Sequence, residues 1–163
     1  MPLRVGGQAP ESYLRVMPRR PRNQLPSAGI YHVTARGVDR CLIVRDEYDW
    51  RALQELVVTA QRRFDWACDA YCLMSSHFHL LARTTLPNLS KGMHWLNGAY
   101  ALRFNRRWGR VGHLFQSRFD AWVIRDEQHW ERACRYILDN PVKAGLCEFA
   151  GDWPWSGGRV ARR

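Results

Sequence analysis

Between residues 29 and 140 the hydrophobic pattern of the chain switches between a period of two and a period near 3.6. "GIYHVTARG" (29–37) alternates β-forming residues and closes on Gly37, which predicts a strand. "DEYDWRALQELVVTAQRRF" (46–64) places Trp50, Leu53, Leu56, Val57 and Ala60 at helical spacing, with acidic residues in its first turn and arginines in its last, so it predicts a helix. "WACDAYCLMSS" (66–76) and "HFHLLART" (77–84) predict two strands, with Ser75-Ser76 at or near the turn between them. Pro87 opens a second helix, "NLSKGMHWLNGAYALRFNRRWG", for which Gly109 is a suitable C-terminal cap. Loop and strand follow over 112–125, then a third helix over 126–140 that Pro141 is expected to stop. "DWPWS" predicts a tryptophan-anchored turn.

The order β-α-β-β-α-β-α, with one hairpin between helices, matches a split βαβ arrangement. The expected fold is therefore α+β: a ferredoxin-like antiparallel sheet with helices packed on one face. Residues 1–28 are rich in Pro, Gly and Arg and lack periodicity, so they are expected to form a flexible basic tail. The domain is expected over 29–157, with a short basic tail at 158–163.

Length and composition add bounds. The 163 residues suffice for one domain, and a hydrophobic fraction of 46% fits a globular core. No apolar run approaches the ~20 residues of a membrane span, and the N-terminal segment lacks an apolar secretory region; a cytoplasmic protein is expected. Cys41, Cys68, Cys72, Cys134 and Cys147 form no paired zinc-ligand pattern, so reduced and mostly buried thiols are expected. The net charge of +10 is carried almost wholly by arginine, since Lys91 and Lys143 are the only lysines. Five arginines against one glutamate sit in residues 1–22, and three more lie in the last five positions. This balance favours a polyanionic partner such as nucleic acid, and the tail arginines would add non-specific affinity.

"LMSSHFHLLART" (73–84) carries the candidate chemistry. On a strand, positions i and i+2 share a face, so His77 and His79 project side by side while Phe78 points to the other side. Two neutral imidazoles in this arrangement suit a divalent metal; two polar residues on a solvated strand face are the plainer alternative. A third ligand would have to come from elsewhere. "RACRYILDNPVK" places Tyr136 and Asn140 four apart on one helix face, a spacing equally met by an ordinary helix tyrosine and a C-terminal cap.

Taken together, the histidine pair, "YILDNPVKAG" about sixty residues later and then "DWPWS" resemble the REP-associated tyrosine transposases of the HUH single-tyrosine superfamily. The resemblance runs over roughly residues 25–157, and "FNRRWGRVGHLFQSRF" (104–119) is similar to that family's basic, aromatic stretch. It implies a divalent metal, Mg²⁺ or Mn²⁺, and single-stranded or hairpin DNA as substrate. It implies that His77, His79 and Asn140 are the metal ligands. Tyr136, on the C-terminal helix, would be the nucleophile that forms a 5′-phosphotyrosine. Ser75-Ser76 departs from the family, which commonly has Pro with Asn or Glu before the first histidine. Relatives of this kind act as monomers or homodimers, and a bacterial, nucleoid-associated location follows.

Tyr100 is the competing nucleophile, with Asn105 five residues on and about 140° away around the helix. Arg103, Arg106, Arg107, Arg110 and Arg118 interleave with Phe104, Trp108, Phe115, Phe119 and Trp122. Arginines can hold phosphates and aromatic faces can stack bases; with Lys143 they are the candidate DNA contacts, most of the phenylalanines being expected inward. The other functional classes that fit are a non-catalytic DNA- or RNA-binding regulator on the same fold and a metal-dependent hydrolase of small substrates. No carboxylate base stands near the histidines to support the hydrolase.

Overall fold

A computed structural model describes residues 28–160 of the chain. The expected N-terminal tail, apart from Ala28, and the last three residues of the expected C-terminal tail lie outside that range. Five strands form one antiparallel sheet: β1 (Gly29–Arg36), β2 (Trp66–Leu73), β3 (His77–Thr84), β4 (Asp120–Ile124) and β5 (Ser156–Gly157). Their order is β4-β1-β3-β2-β5. The helices are α1 (Glu47–Phe64), α2 (Leu89–Trp108), α3 (Glu127–Leu138) and the single turn α4 (Asn140–Lys143).

Local chemistry explains the boundaries. Asp46 caps α1 by accepting from the Asp49 amide at 3.1 Å, and Asp126 caps α3 by accepting from the His129 amide at 2.7 Å. Gly109 ends α2 in the left-handed region at φ 59°, the expected cap. The expected halt at Pro141 differs in the structure. Asp139 ends α3, and Pro141 lies at the start of one more helical turn, where its missing N–H costs nothing. The amide of Lys143 donates to Asp139 and that of Ala144 to Asn140, which continues the helical course past the proline.

Strand alternation divides the core in two. Tyr31, Val33 and Ala35 of β1 and Phe78, Leu80 and Ala82 of β3 face α1 and α2, where they meet Leu53, Val57, Met93, Leu96 and Phe104. The two long helices thus share one face, as expected. The opposite face carries Ala70, Cys72, Leu81 and Ile124, and the stripe Ala133, Cys134 and Ile137 lays α3 across it. Helix α3 therefore lies on the histidine side of the sheet rather than beside α1 and α2. Burying a residue such as Leu81 or Ile137 contributes ~1.5–3 kcal/mol, enough to fix α3 over β2 and β3. Close approach of α2 to the sheet depends on Gly92, where a Cβ would meet the Trp66 ring at 2.2 Å. No described helix is long and apolar enough to cross a membrane.

Candidate active site

His77 opens β3 and His79 follows one pleat later on the face that α3 covers. Their rings lie 5.0 Å apart between centroids and nearly perpendicular, at 88°. Phe78 between them is fully buried on the other face, as the strand period requires. Burial, reinforced by repulsion from Arg36, pulls the His77 pKa down to about 4, against a smaller opposing effect of its hydrogen bond with the Asn140 side chain. Burial also holds His79 well below the ordinary value, helped by His32, His77, Arg36 and Lys143. Both imidazoles are thus uncharged at neutral pH and keep a ring lone pair.

Helix α3 and the turn α4 bring the other two residues to the pair. Tyr136 is half-buried, with its ring 5.7 Å from that of His79 and edge-on to it. Asn140, one turn later, donates its Nδ2–H to the Tyr136 carbonyl at 2.9 Å. The Asn140 side chain is also the hydrogen-bond partner of the His77 ring. Lys143 sits one turn further on, its Nζ 4.8 Å from the centre of the Tyr136 ring.

Two residues of this cluster escape sequence reasoning. His32 of β1 is fully buried, and its Nε2 lies 3.0 Å from Nδ1 of His79. Its ring also contacts Tyr136 at 5.7 Å and Trp122 at 5.4 Å. Burial, with a lesser contribution from His129, brings its pKa down to about 3. Arg36 pairs across the ladder with His77 and brings a cation to the rim. The available signal was parity: Tyr31, Val33 and Ala35 are core residues, so His32, Thr34 and Arg36 must share the other face.

The donors present fit a divalent cation. Among the described residues no three His, Cys, Asp or Glu side chains gather at one point. The set His77, His79 and Asn140 instead offers two neutral imidazoles and an amide oxygen, and the amide nitrogen is already committed to a carbonyl. Such mixed N and O donors suit Mg²⁺, Mn²⁺ or Co²⁺ and leave the charge of the cation unneutralised.

The remaining candidates lie elsewhere. Tyr100 faces α1 on the far side of the sheet, 1% exposed, with its hydroxyl donating to the Ile43 carbonyl. Burial, then the Asp49 charge, drives its pKa far upward. Arg103, Arg106 and Arg107 belong to the same helix layer, away from the histidines. Arg103 donates to Tyr48 at 2.9 Å and pairs with Glu55, while Arg107 bridges Asp46 and Asp49 at 2.6 and 2.7 Å. Arg110 points Nη1 toward the Cys41 sulfur at 3.8 Å. Arg106 is exposed. Arg118 accepts a hydrogen bond from Asn97 on its backbone carbonyl and borders a cavity of about 500 Å³ between α2 and the loop at 112–118. Of the six expected DNA contacts, Lys143 alone stands beside the histidines. Phe104, Phe115 and Phe119 are core residues, as expected.

The family described as "Transposase IS200 like" matches residues 27–140, a span that holds His32, His77, His79, Tyr136 and Asn140. A protein of Haemophilus influenzae described as a REP-associated tyrosine transposase is 31% identical over 100 residues, 53% of this chain. The match covers 56% of that relative, so the chain aligns with little more than half of its length. A solved structure of a REP-associated tyrosine transposase bound to a REP hairpin superposes with a TM-score of 0.66 at 22% identity, over 85% of this chain and 80% of the other. At that identity the likeness is one of fold.

Proposed function

The chain belongs to the IS200-like transposases, and from that premise we propose that it cleaves and rejoins single-stranded DNA at hairpin, REP-like sites, with Tyr136 as the nucleophile. The observation that carries this reading is the meeting of Tyr136 and Asn140 with the His77/His79 pair on one face of the sheet. The hairpin as substrate is suggested by the solved relative, which is bound to one.

A phenol has a pKa near 10, so only ~0.1% is ionised at pH 7, and it needs help to attack a phosphodiester. Lys143 holds a positive charge over the Tyr136 ring, and Arg36 adds a second beside His77; both favour the incoming phosphate. His77, His79 and Asn140 would hold a divalent cation, which when bound supplies Lewis-acid polarisation of a non-bridging phosphate oxygen. In the step itself, the Tyr136 Oη–P bond forms and the P–O3′ bond breaks. The phenolic proton is lost and the departing 3′ oxygen gains one, leaving a 5′-phosphotyrosine and a free 3′-OH. Attack by another 3′-OH reverses the step, so strands are joined with no external energy source. The contact between Tyr136 and His79 of the same chain supports a tyrosine that serves its own histidines.

The test is incubation with a hairpin carrying a single-stranded flank, in Mn²⁺, followed by denaturing electrophoresis. A covalent protein–DNA adduct is expected, and Tyr136→Phe should remove it while hairpin binding persists. An adduct that survives Tyr136→Phe overturns the assignment, and no adduct with any hairpin would favour a regulator that only binds.

A further inference from the structure

We propose that His32 is a positioning residue for the candidate metal centre: its Nε2 accepts the Nδ1–H of His79 and so holds His79 in the tautomer whose Nε2 carries the lone pair. The proposal rests on the reading of His77, His79 and Asn140 as a ligand set. The two rings meet at 3.0 Å between Nε2 of His32 and Nδ1 of His79, and both residues are buried.

Two neutral imidazoles in such contact share a single proton between the facing nitrogens, so only two arrangements exist. If His32 donates, the proton of His79 must sit on Nε2, and His79 then has no ring nitrogen left to bind a cation. If His79 donates, its Nε2 lone pair is available. A ligand histidine that gives its other N–H to a fixed acceptor is the arrangement that sets ring orientation and raises donor strength.

His32 is built to be such an acceptor. It stands on β1, the strand hydrogen-bonded to both β3 and β4, directly across from Leu81 and Trp122. His79 is its diagonal neighbour, within reach of a long side chain. Trp122 and Tyr136 flank the ring and limit its rotation. A buried polar ring in an apolar sheet face is costly where a leucine would pack, unless its hydrogen bond is used. The contact with Tyr136 gives the same residue a hold on the helix that carries the nucleophile.

Two measurements on the full chain, neither of which needs DNA, test the proposal. The first reads the His79 tautomer in the metal-free, ¹⁵N-labelled protein at neutral pH from its long-range ring ¹H–¹⁵N correlations. The Nδ1–H form is expected, and a proton on Nε2 overturns the proposal. The second is Mn²⁺ titration of His32→Phe and His32→Gln. Removing the acceptor should weaken Mn²⁺ binding ~10–100-fold, the usual effect of losing such a partner. Gln, whose side-chain oxygen can accept the same N–H, should restore most of that loss. Equal weakening in both variants, or none in either, overturns the positioning role. Failure of the ligand set looks different: His77→Ala would then bind Mn²⁺ as the natural chain does, while the tautomer measurement still reports on His32 alone.

Discussion

Two tyrosines compete as nucleophile, and their surroundings suit them to different work. Tyr136 is half-buried against His79 with a lysine over its ring; Tyr100 is sealed in the core and spends its hydroxyl on the Ile43 carbonyl. Tyr100→Phe should therefore leave adduct formation intact and cost about 1–2 kcal/mol of stability, because a buried carbonyl loses its donor. Denaturant titration beside the adduct assay checks both halves. Loss of the adduct with unchanged stability would reverse the roles. The H-x-H pair and the Tyr136-Asn140 spacing were visible in the chain because each is local. His32 was not, because its partner lies 47 residues away and the register of β1 against β3 follows from tertiary packing.

The helix layer explains why an arginine-rich stretch is poor evidence of a DNA surface by itself. Arg107 of α2 is held by Asp46 and Asp49 at the start of α1, and Asp49 also accepts from the Trp108 indole at 2.9 Å and the Arg45 amide at 3.0 Å. Asp49 is buried, so its carboxylate ties the first turn of α1 to the last turn of α2. Asp49→Ala should cost on the order of 1–3 kcal/mol, since it removes the shared acceptor of three partly buried donors. Arg107→Ala should lower the melting temperature by less and leave the salt dependence of hairpin binding unchanged. A flatter salt dependence in that variant would place Arg107 on the DNA after all. Elements with a long period were readable from sequence: β1 to β4 and α1 to α3 all occur where hydrophobic spacing places them. The single turn α4 and the two-residue β5 were not, because neither is long enough to show a period, and proline reads as a stop even where it starts a turn. The side of the sheet that α3 covers was also hidden, since its stripe says that it buries a face without saying which.

At the scale of the molecule, the candidate site draws on β1, β3, α3 and α4, all of one chain. If the tyrosine acts on its own chain's phosphate, a mixture of Tyr136→Phe with His77→Ala/His79→Ala protein should form no more adduct than the two variants tested separately. Recovery of activity on mixing would show that tyrosine helices are exchanged between two copies. Charge belongs to this scale as well. Much of the net +10 lies in the terminal segments, whereas among the described residues Arg36 and Lys143 are the cations acting on His79. The closing turn has a consequence of another kind. β5 pairs with Tyr71 and Cys72, and the chain continues past Gly158 so that the amides of Arg159 and Val160 reach the carbonyls of Cys68 and Asp69. Gly158, at φ 127°, permits this because a Cβ there would sit 2.5 Å from the Asp69 carbonyl oxygen. The outer side of β2 is thereby sealed by a strip too short to template another strand, and this flank of the sheet is guarded against the edge-to-edge self-association that leads to aggregation.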